Sequence, residues 1–316
     1  MKVIGFGALN IDNIYRVGRI LEDGESLINK ADSFPGGSAA NTIYCLSKLG
    51  IQTSFIGAVG NDNQGRLVIQ DLNNMGVETK YIVVKEKERT GKTQCFSDIS
   101  GKRSIYVLPG ANNLLSIDDI NLSYINSAKY IHFSSFADDR QFKLTLELMD
   151  QIDPSVKVSF SPGLLCASKG IKALVPILSR THVLFMNHDE IRTLVDRDVM
   201  SSSEICLEYG CRIIAVTLGQ GLRLNRGTTP VVSYIRDHNN AYYIKPIDIE
   251  GSCVDTTGAG DAFAGGFLYG LINNKRLDEC GQLGNIVALY SIKRMGARQG
   301  LPTVTQLSKC YQEIYG

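Results

Sequence analysis

The chain has 316 residues, 44% of them hydrophobic and 21% charged, a globular composition that excludes collagen-like, mucin-like and disordered readings. Its 33 Lys and Arg balance 32 Asp and Glu to a formal charge of +1, with no long run of either sign, so neither a nucleic-acid nor a membrane-surface partner is indicated. The longest uncharged stretch near the end of the chain, 262–274, falls short of the roughly 18–20 apolar residues that a bilayer-spanning helix needs.

In chain order, 3–9 predicts a first strand rather than a secretion signal, because Asp12 interrupts the apolar run early. A helix over 39–49 closes at Gly50, and a strand follows at 53–59. The next helix, 65–75, has Asp62 or Asn63 to cap it and Gly76 to end it. Apolar runs at 130–133, 156–160, 183–186 and 213–218 read as buried strands, each followed by a glycine, a cap residue or a helical pattern. The segments 261–272, 277–295 and 304–314 read as helices. This alternation predicts an α/β fold with a mainly parallel sheet in a single domain spanning 1–316. Two regions break it: 14–34, and 92–108, where Ser100-Gly101 between β-rich runs reads as a hairpin turn. Extra strands of this kind suit a small separate sheet, either a lid over a site or a surface ornament. The eight cysteines include no C-x-x-C pair, and Cys206 and Cys211, five apart, have no histidine near them; scattered thiols suit a reducing cytosol, so a cytoplasmic location is expected.

A phosphate site needs free backbone N–H groups at a helix start and small residues that let the anion approach. Asp255-Thr256-Thr257-Gly258-Ala259-Gly260-Asp261-Ala262-Phe263 has that form, so the amides of Gly258, Ala259 and Gly260 are expected to make an anion hole. Asp261, a carboxylate that a neighbouring phosphate would repel, is either a first-turn acid that caps its helix or, as its placement by two glycines before an uncharged stretch favours, the general base for an acceptor alcohol. No G-x-x-x-x-G-K-[ST] is present, and G-x-G-x-x-G fails both after Gly5-Phe6-Gly7 and after Gly258-Ala259-Gly260. P-loop and hydride-transfer readings therefore lack support.

These residues resemble a known family. The stretch 255–263 is similar to the C-terminal signature of the ribokinase-like (PfkB) carbohydrate and nucleoside kinases, and Gly36-Gly37-Ser38-Ala39-Ala40-Asn41 to their N-terminal glycine-rich signature. Gly7 to Asp12, Gly110-Ala111-Asn112, Asn187-x-x-Glu190 and Thr217-Leu218-Gly219-Gln220-Gly221 follow in the family order, over nearly the whole chain. The resemblance implies an ATP-dependent kinase with a doubly wound, helix-flanked sheet and a small β lid drawn from about 14–34 and 92–108. It makes Asp261 the catalytic base. It places Asn187 and Glu190 near Mg²⁺ and the triphosphate, Glu190 through water. Thr217, Gly219, Gly221 and Asn285 would line the nucleotide, and Asn10, Asp12, Gly36, Gly37 and Asn41 would hold the acceptor. Many relatives bind a monovalent cation through backbone carbonyls; Asp255 and Thr257 match part of that site and Gly296 and Gly300 the loop that completes it, so K⁺ activation is an expectation.

The acceptor stays open between a sugar and a nucleoside. Ribokinases carry Lys where Ser38 stands and an acid near Ser134-Ser135-Phe136, and both departures weaken ribose. Phe96 and Tyr106 would either stack on a purine or pack within the lid. Asn10 and Asp12, two apart at a strand end, suit a polyhydroxylated ligand because alcohols both donate and accept. A non-catalytic ligand sensor on the same fold is the alternative of another class. Unpaired lid edges lead to the expectation of a homodimer joined through the lids.

Overall fold

The computed structural model describes residues 2–100, 102–134, 137–224, 229–248 and 251–316. Its strands are β1 (Lys2–Phe6), β2 (Asn10–Val17), β3 (Ile28–Gly36), β4 (Gln52–Gly60), β5 (Ile82–Lys85), β6 (Gly91–Asp98), β7 (Arg103–Leu108), β8 (Tyr130–Ser134), β9 (Lys157–Ser161), β10 (Thr181–Asn187), β11 (Ile213–Leu222), β12 (Val231–Asp237) and β13 (Ala241–Ile244). They form a nine-stranded sheet, in the order β13-β12-β11-β10-β9-β8-β1-β4-β5, and a separate four-stranded one, β3-β2-β6-β7.

The large sheet is parallel from β5 to β11. Apolar runs without polar alternation must be covered on both faces, and successive residues go to opposite layers. On β10, Val183 and Phe185 enter the core beneath the helices Ser38–Lys48 and Ala259–Ile272, while Leu184 and Met186 enter the core on the other side. Asp62 caps the helix Asn63–Asn74 by accepting from Gly65 N at 2.7 Å. The antiparallel strands β12 and β13 were not expected. Asp237 marks their turn, its Oδ1 accepting from the amides of Asn239 and Asn240. The helix expected over 277–295 ends at Ser291, because the carbonyl of Ile292 accepts from Val254 N and Asp255 N instead of continuing the helical ladder. Among the described residues no helix is long and apolar enough to cross a membrane.

The small sheet begins earlier than its expected limits. β1 stops at Phe6, Gly7 to Leu9 turn the corner, and Asn10 opens the lid strand β2, so Asn10 and Asp12 belong to the lid and not to the end of the first strand. Asn112 fixes this corner from inside. Its Oδ1 accepts from Leu9 N at 2.9 Å, and its Nδ2 lies 3.1 Å from Leu9 O, 3.0 Å from Asn10 Oδ1 and 2.8 Å from Pro109 O. The register puts Asp12, Thr93 and Val107 on one face of the lid, and Arg16, Ser97 and Arg103 further along the same face. Tyr15 and Phe96 lie on the opposite face, their rings stacked at 5.0 Å, with Tyr106 edge-on to Phe96. The aromatic pair considered for a purine thus packs within the lid, turned away from Asp12. Gly101 of the hairpin turn lies outside the described residues.

Replacing Asn112 by Ala strands the backbone of Leu9 in a buried corner. The expected loss is about 2–3 kcal/mol of unfolding free energy, read from the shift of a urea midpoint.

Candidate active site

The carboxyl ends of the parallel strands carry Ser134 on β8, Ser161 on β9, Asn187 on β10 and Thr217 on β11, the edge where open α/β sheets take ligands. Two helices start over this edge, Ser38–Lys48 and Ala259–Ile272, and their first turns are joined through Asp261. Ser38 Oγ donates to Asp261 Oδ1 at 2.7 Å, Asn41 Nδ2 donates to Oδ2 at 2.8 Å, and Thr42 Oγ1 donates to the main-chain oxygen of Asp261 at 3.2 Å. Burial raises the Asp261 carboxyl to about 6 against these two side-chain donors; the charge of Asp12 pushes the same way, and that of Arg298 opposes it.

Gly258 precedes the helix in the left-handed region at φ 74°. A Cβ there would come within 2.4 Å of the Ala297 Cβ, so both backbone and space call for glycine. The loop before it is tied down by Asp255. Oδ1 accepts from Thr257 N and Oγ1, and Oδ2 accepts from Gly296 N at 2.9 Å, which brings together the two loops expected to share a cation.

On the acceptor side, Asp12 is partly buried and its carboxyl is raised chiefly by desolvation, although Thr93 Oγ1 donates to it. Gly36 lies directly beneath it, where a Cβ would stand 2.0 Å from Asp12 Oδ2. Gly37 begins the helix that carries Asn41. Asn10 is 7% exposed, and its Oδ1 accepts from Asn112 Nδ2 in the lid hinge.

Two cavities meet at Thr217 and Gly260. The smaller, about 90 Å³, brings Asp261, Ser38, Asn187 and Glu190 together. The larger, about 390 Å³, is lined by Gly219, Gln220, Ile247, Ala259, Asn285 and Leu289 among others. Asn285 accepts from Ser233 Oγ, and its buried Nδ2 has no partner among the described residues, a donor left for a ligand. Gly219 and Gly221 lie within β11 where its ladder with β12 skips from Thr217 to Leu222, so the strand bulges at the cavity wall. Asn187 and Glu190 form a reciprocal cap, each side chain bonding the other's amide. Glu190 nevertheless stands in the Asp261 cavity, and its carboxyl rises to about 7, mainly by burial, with Asp261 contributing. Its Oε1 meets no donor among the described residues, which suits an oxygen ligand to hydrated Mg²⁺.

Two residues of this site escape a reading of the sequence. Ser38, to which the sequence assigns no role, donates directly to Asp261. Arg298 is 3% exposed: its Nε donates to Asn41 Oδ1 at 2.9 Å, its Nη2 to Gly36 O at 3.2 Å, and its Nη1 pairs with Asp71 at 2.5 Å. It therefore turns the Asn41 amide so that NH₂ faces Asp261. Ser134 Oγ accepts from Ala39 N, while Ser135 and Phe136 lie outside the described residues.

The sequence profile of the pfkB family carbohydrate kinases matches residues 1–304. An uncharacterized sugar kinase from Archaeoglobus fulgidus is 37% identical over 81% of this chain and 98% of its own length. An ATP-dependent ribose-1-phosphate kinase from Halopiger xanaduensis is 28% identical over 100% of this chain and 99% of its own. Among solved structures, the nucleoside kinase of Methanocaldococcus jannaschii, an archaeal member of the ribokinase family, superposes with a TM-score of 0.82 at 24% identity, covering 99% of this chain and 98% of that one.

Substituting Ser38 by Ala removes one of the two side-chain donors to Asp261. The carboxyl is then expected to titrate above its present value of about 6, as followed by ¹³C NMR of labelled aspartate.

Proposed function

The chain belongs to the pfkB family of carbohydrate kinases and is an ATP-dependent sugar or nucleoside kinase, and on that footing we propose that it phosphorylates a primary alcohol of a sugar, with Asp261 as general base. The observation that carries this reading is the Asp261 carboxylate itself. It is aimed by Ser38 and Asn41, raised to about 6, and set one residue beyond the amides of Gly258, Ala259 and Gly260. A base of that strength is ionised near neutral pH yet basic enough to take a proton as the alcohol becomes an alkoxide.

In the proposed reaction the acceptor oxygen forms a bond to the γ-phosphorus while the bond from that phosphorus to the bridging β–γ oxygen breaks. ADP leaves with the electron pair, and the hydroxyl proton passes to Asp261. Charge that develops on the phosphoryl oxygens would meet the amides of 258–260, of which Ala259 N donates to Thr256 O at 3.2 Å until the anion takes its place, and the positive end of the helix behind them. Asp12, seated on Gly36, and Asn41, beside Gly37, would hold the acceptor's other hydroxyls. Thr217, Gly219, Gly221 and Asn285 would receive the nucleotide. Mg²⁺ brought by the triphosphate would be held through water at Glu190 and Asn187 and neutralises phosphate charge when bound. Carbonyls of the two loops that Asp255 joins, at Thr257 and Gly296, would hold K⁺, which would add positive charge near the hole.

The sugar reading is favoured over a nucleoside because Phe96 and Tyr106, the pair considered for a purine, lie on the lid face opposite Asp12, which leaves Phe34 as the one aromatic of the described lid strands on Asp12's own face and no stacked pair there. The ribose-1-phosphate kinase relative adds phosphorylated pentoses to the acceptors worth assaying. A homodimer through the lids remains a proposal. It is motivated by β7, a free edge with Ile105, Tyr106 and Leu108 each more than half exposed, and a purely monomeric sedimentation profile at high concentration would remove it.

The test is coupled ADP release with ribose, fructose, ribose 1-phosphate, adenosine, inosine and cytidine, in K⁺ and in choline buffer. Turnover with a sugar is expected, whereas turnover with nucleosides alone would overturn the sugar assignment. Asp261→Ala should lower kcat by at least about 100-fold while acceptor still binds, unlike a sensor, which has no turnover to lose. Because the folded carboxyl is raised, the base is ionised above about 6 and protonated below it. The acid limb of kcat/KM should therefore fall about tenfold per pH unit below that point.

A further inference from the structure

Positive charge is scarce around the phosphoryl-transfer path. The described residues lining the two joined cavities include no Lys or Arg, and the smaller one contains the carboxylates of Asp261 and Glu190. Arg298 is committed to Asn41, Gly36 and Asp71. Transfer from a triphosphate nonetheless concentrates negative charge on three phosphoryl oxygens, and the donors that the described residues of these cavities offer it are all neutral.

Among the described residues, one cation hydrogen-bonds to the loop that leads into the anion hole, and it comes from the lid. Arg103 opens β7 on the same face as Asp12, and its guanidinium crosses to the loop that leads into the anion hole. Nη1 donates to Thr256 Oγ1 at 2.9 Å, and Nη2 to Thr257 Oγ1 at 2.5 Å, with Asp255 Oδ1 at 3.9 Å. Among the described residues no other Lys or Arg is hydrogen-bonded to 255–261. The guanidinium thus lies one residue before Gly258, resting mainly on neutral hydroxyls. Those hydroxyls are weak acceptors for a full positive charge compared with phosphoryl oxygens, and a planar fork of donors fits the latter in pairs.

We infer that Arg103 is a further catalytic residue, an arginine carried by the lid that leaves Thr256 and Thr257 to hold the transferring phosphoryl group. The inference rests on the kinase reading above. Arg103 forms and breaks no covalent bond. While the acceptor oxygen bonds to phosphorus, the bond to the ADP oxygen breaks and Asp261 takes the proton, its donors hold two of the equatorial oxygens in the gap between lid and hole. Because β7 moves with the lid, the charge is delivered only when the lid is shut, which makes transfer to the enclosed acceptor faster than transfer to water.

The experiment compares wild type, Arg103→Ala and Arg103→Lys under saturating ATP and the best acceptor, with and without millimolar guanidinium chloride, and with melting temperatures recorded for each. The expected result is a kcat for R103A lower by about 100-fold or more at nearly unchanged KM values, an intermediate kcat for R103K, and partial restoration of R103A alone by guanidinium. A wild-type-like kcat for R103A overturns the inference while leaving the kinase reading intact. So does a defect confined to KM for a phosphorylated acceptor, which would assign Arg103 to acceptor recognition. Raised KM for both substrates that neither Lys nor guanidinium relieves would make Arg103 a lid fastener and overturn it as well. Absence of turnover by the wild type on every acceptor would overturn the kinase reading and this inference with it.

Discussion

A carboxylate withdrawn from water must find hydrogen-bond donors or take up a proton, and Asp261 stands between these outcomes. Burial pushes it toward the neutral form, while Ser38 and Asn41 draw it back toward the charged form. Neither donor is free to wander. Ser38 and Asn41 occupy the first turn of a helix whose own start is set by Gly36 and Gly37, and Asn41 is turned by Arg298. The base strength of one oxygen thus depends on the glycine turn at the end of the lid, on a loop near residue 298, and on Asp71 in a third element. Removing any of them changes a proton affinity before it changes a shape.

The same arrangement explains why the site carries so many acids. Asp12, Glu190 and Asp261 are all raised, chiefly by burial, and two of the three feel another acid of the set. An apo site of this kind is electrostatically uncomfortable, and ligands that bring cations or hydroxyl donors relieve it. Arg298 offsets part of the charge while committed to Asn41, Asp71 and Gly36, and Arg103 comes from the small sheet to the loop before Gly258.

What the sequence discloses follows the range of the interactions. The signature 255–263 is readable because a helix start, two glycines and an acid are local chemistry, and the α/β alternation is readable because burial leaves a periodic trace in 183–186 or 213–218. The corner at Gly7 to Leu9 leaves none: its polar partner, Asn112, lies 103 residues away, so strand and lid read as one apolar run. Ser38 and Arg298 are silent for the same reason, their partners standing 223 and 257 positions off. Phe96 and Tyr106 mislead in another way, since strand membership is legible but which face turns inward is decided by pairing across the sheet. β12 and β13 had a legible cue in Asp237 and the two asparagines after it.

The lid sheet is stitched from two excursions of the chain by the parallel pairing of β2 with β6, which joins Asn10 to Gly91. Each excursion supplies two antiparallel strands, yet the central seam between them spans about a quarter of the chain. Loop closure over that separation is entropically unfavourable until the intervening β4, β5 and helix Asn63–Asn74 have condensed. The lid is consequently a late arrival in folding, completed on a body already built, and it cannot be cut out or grafted as one continuous piece.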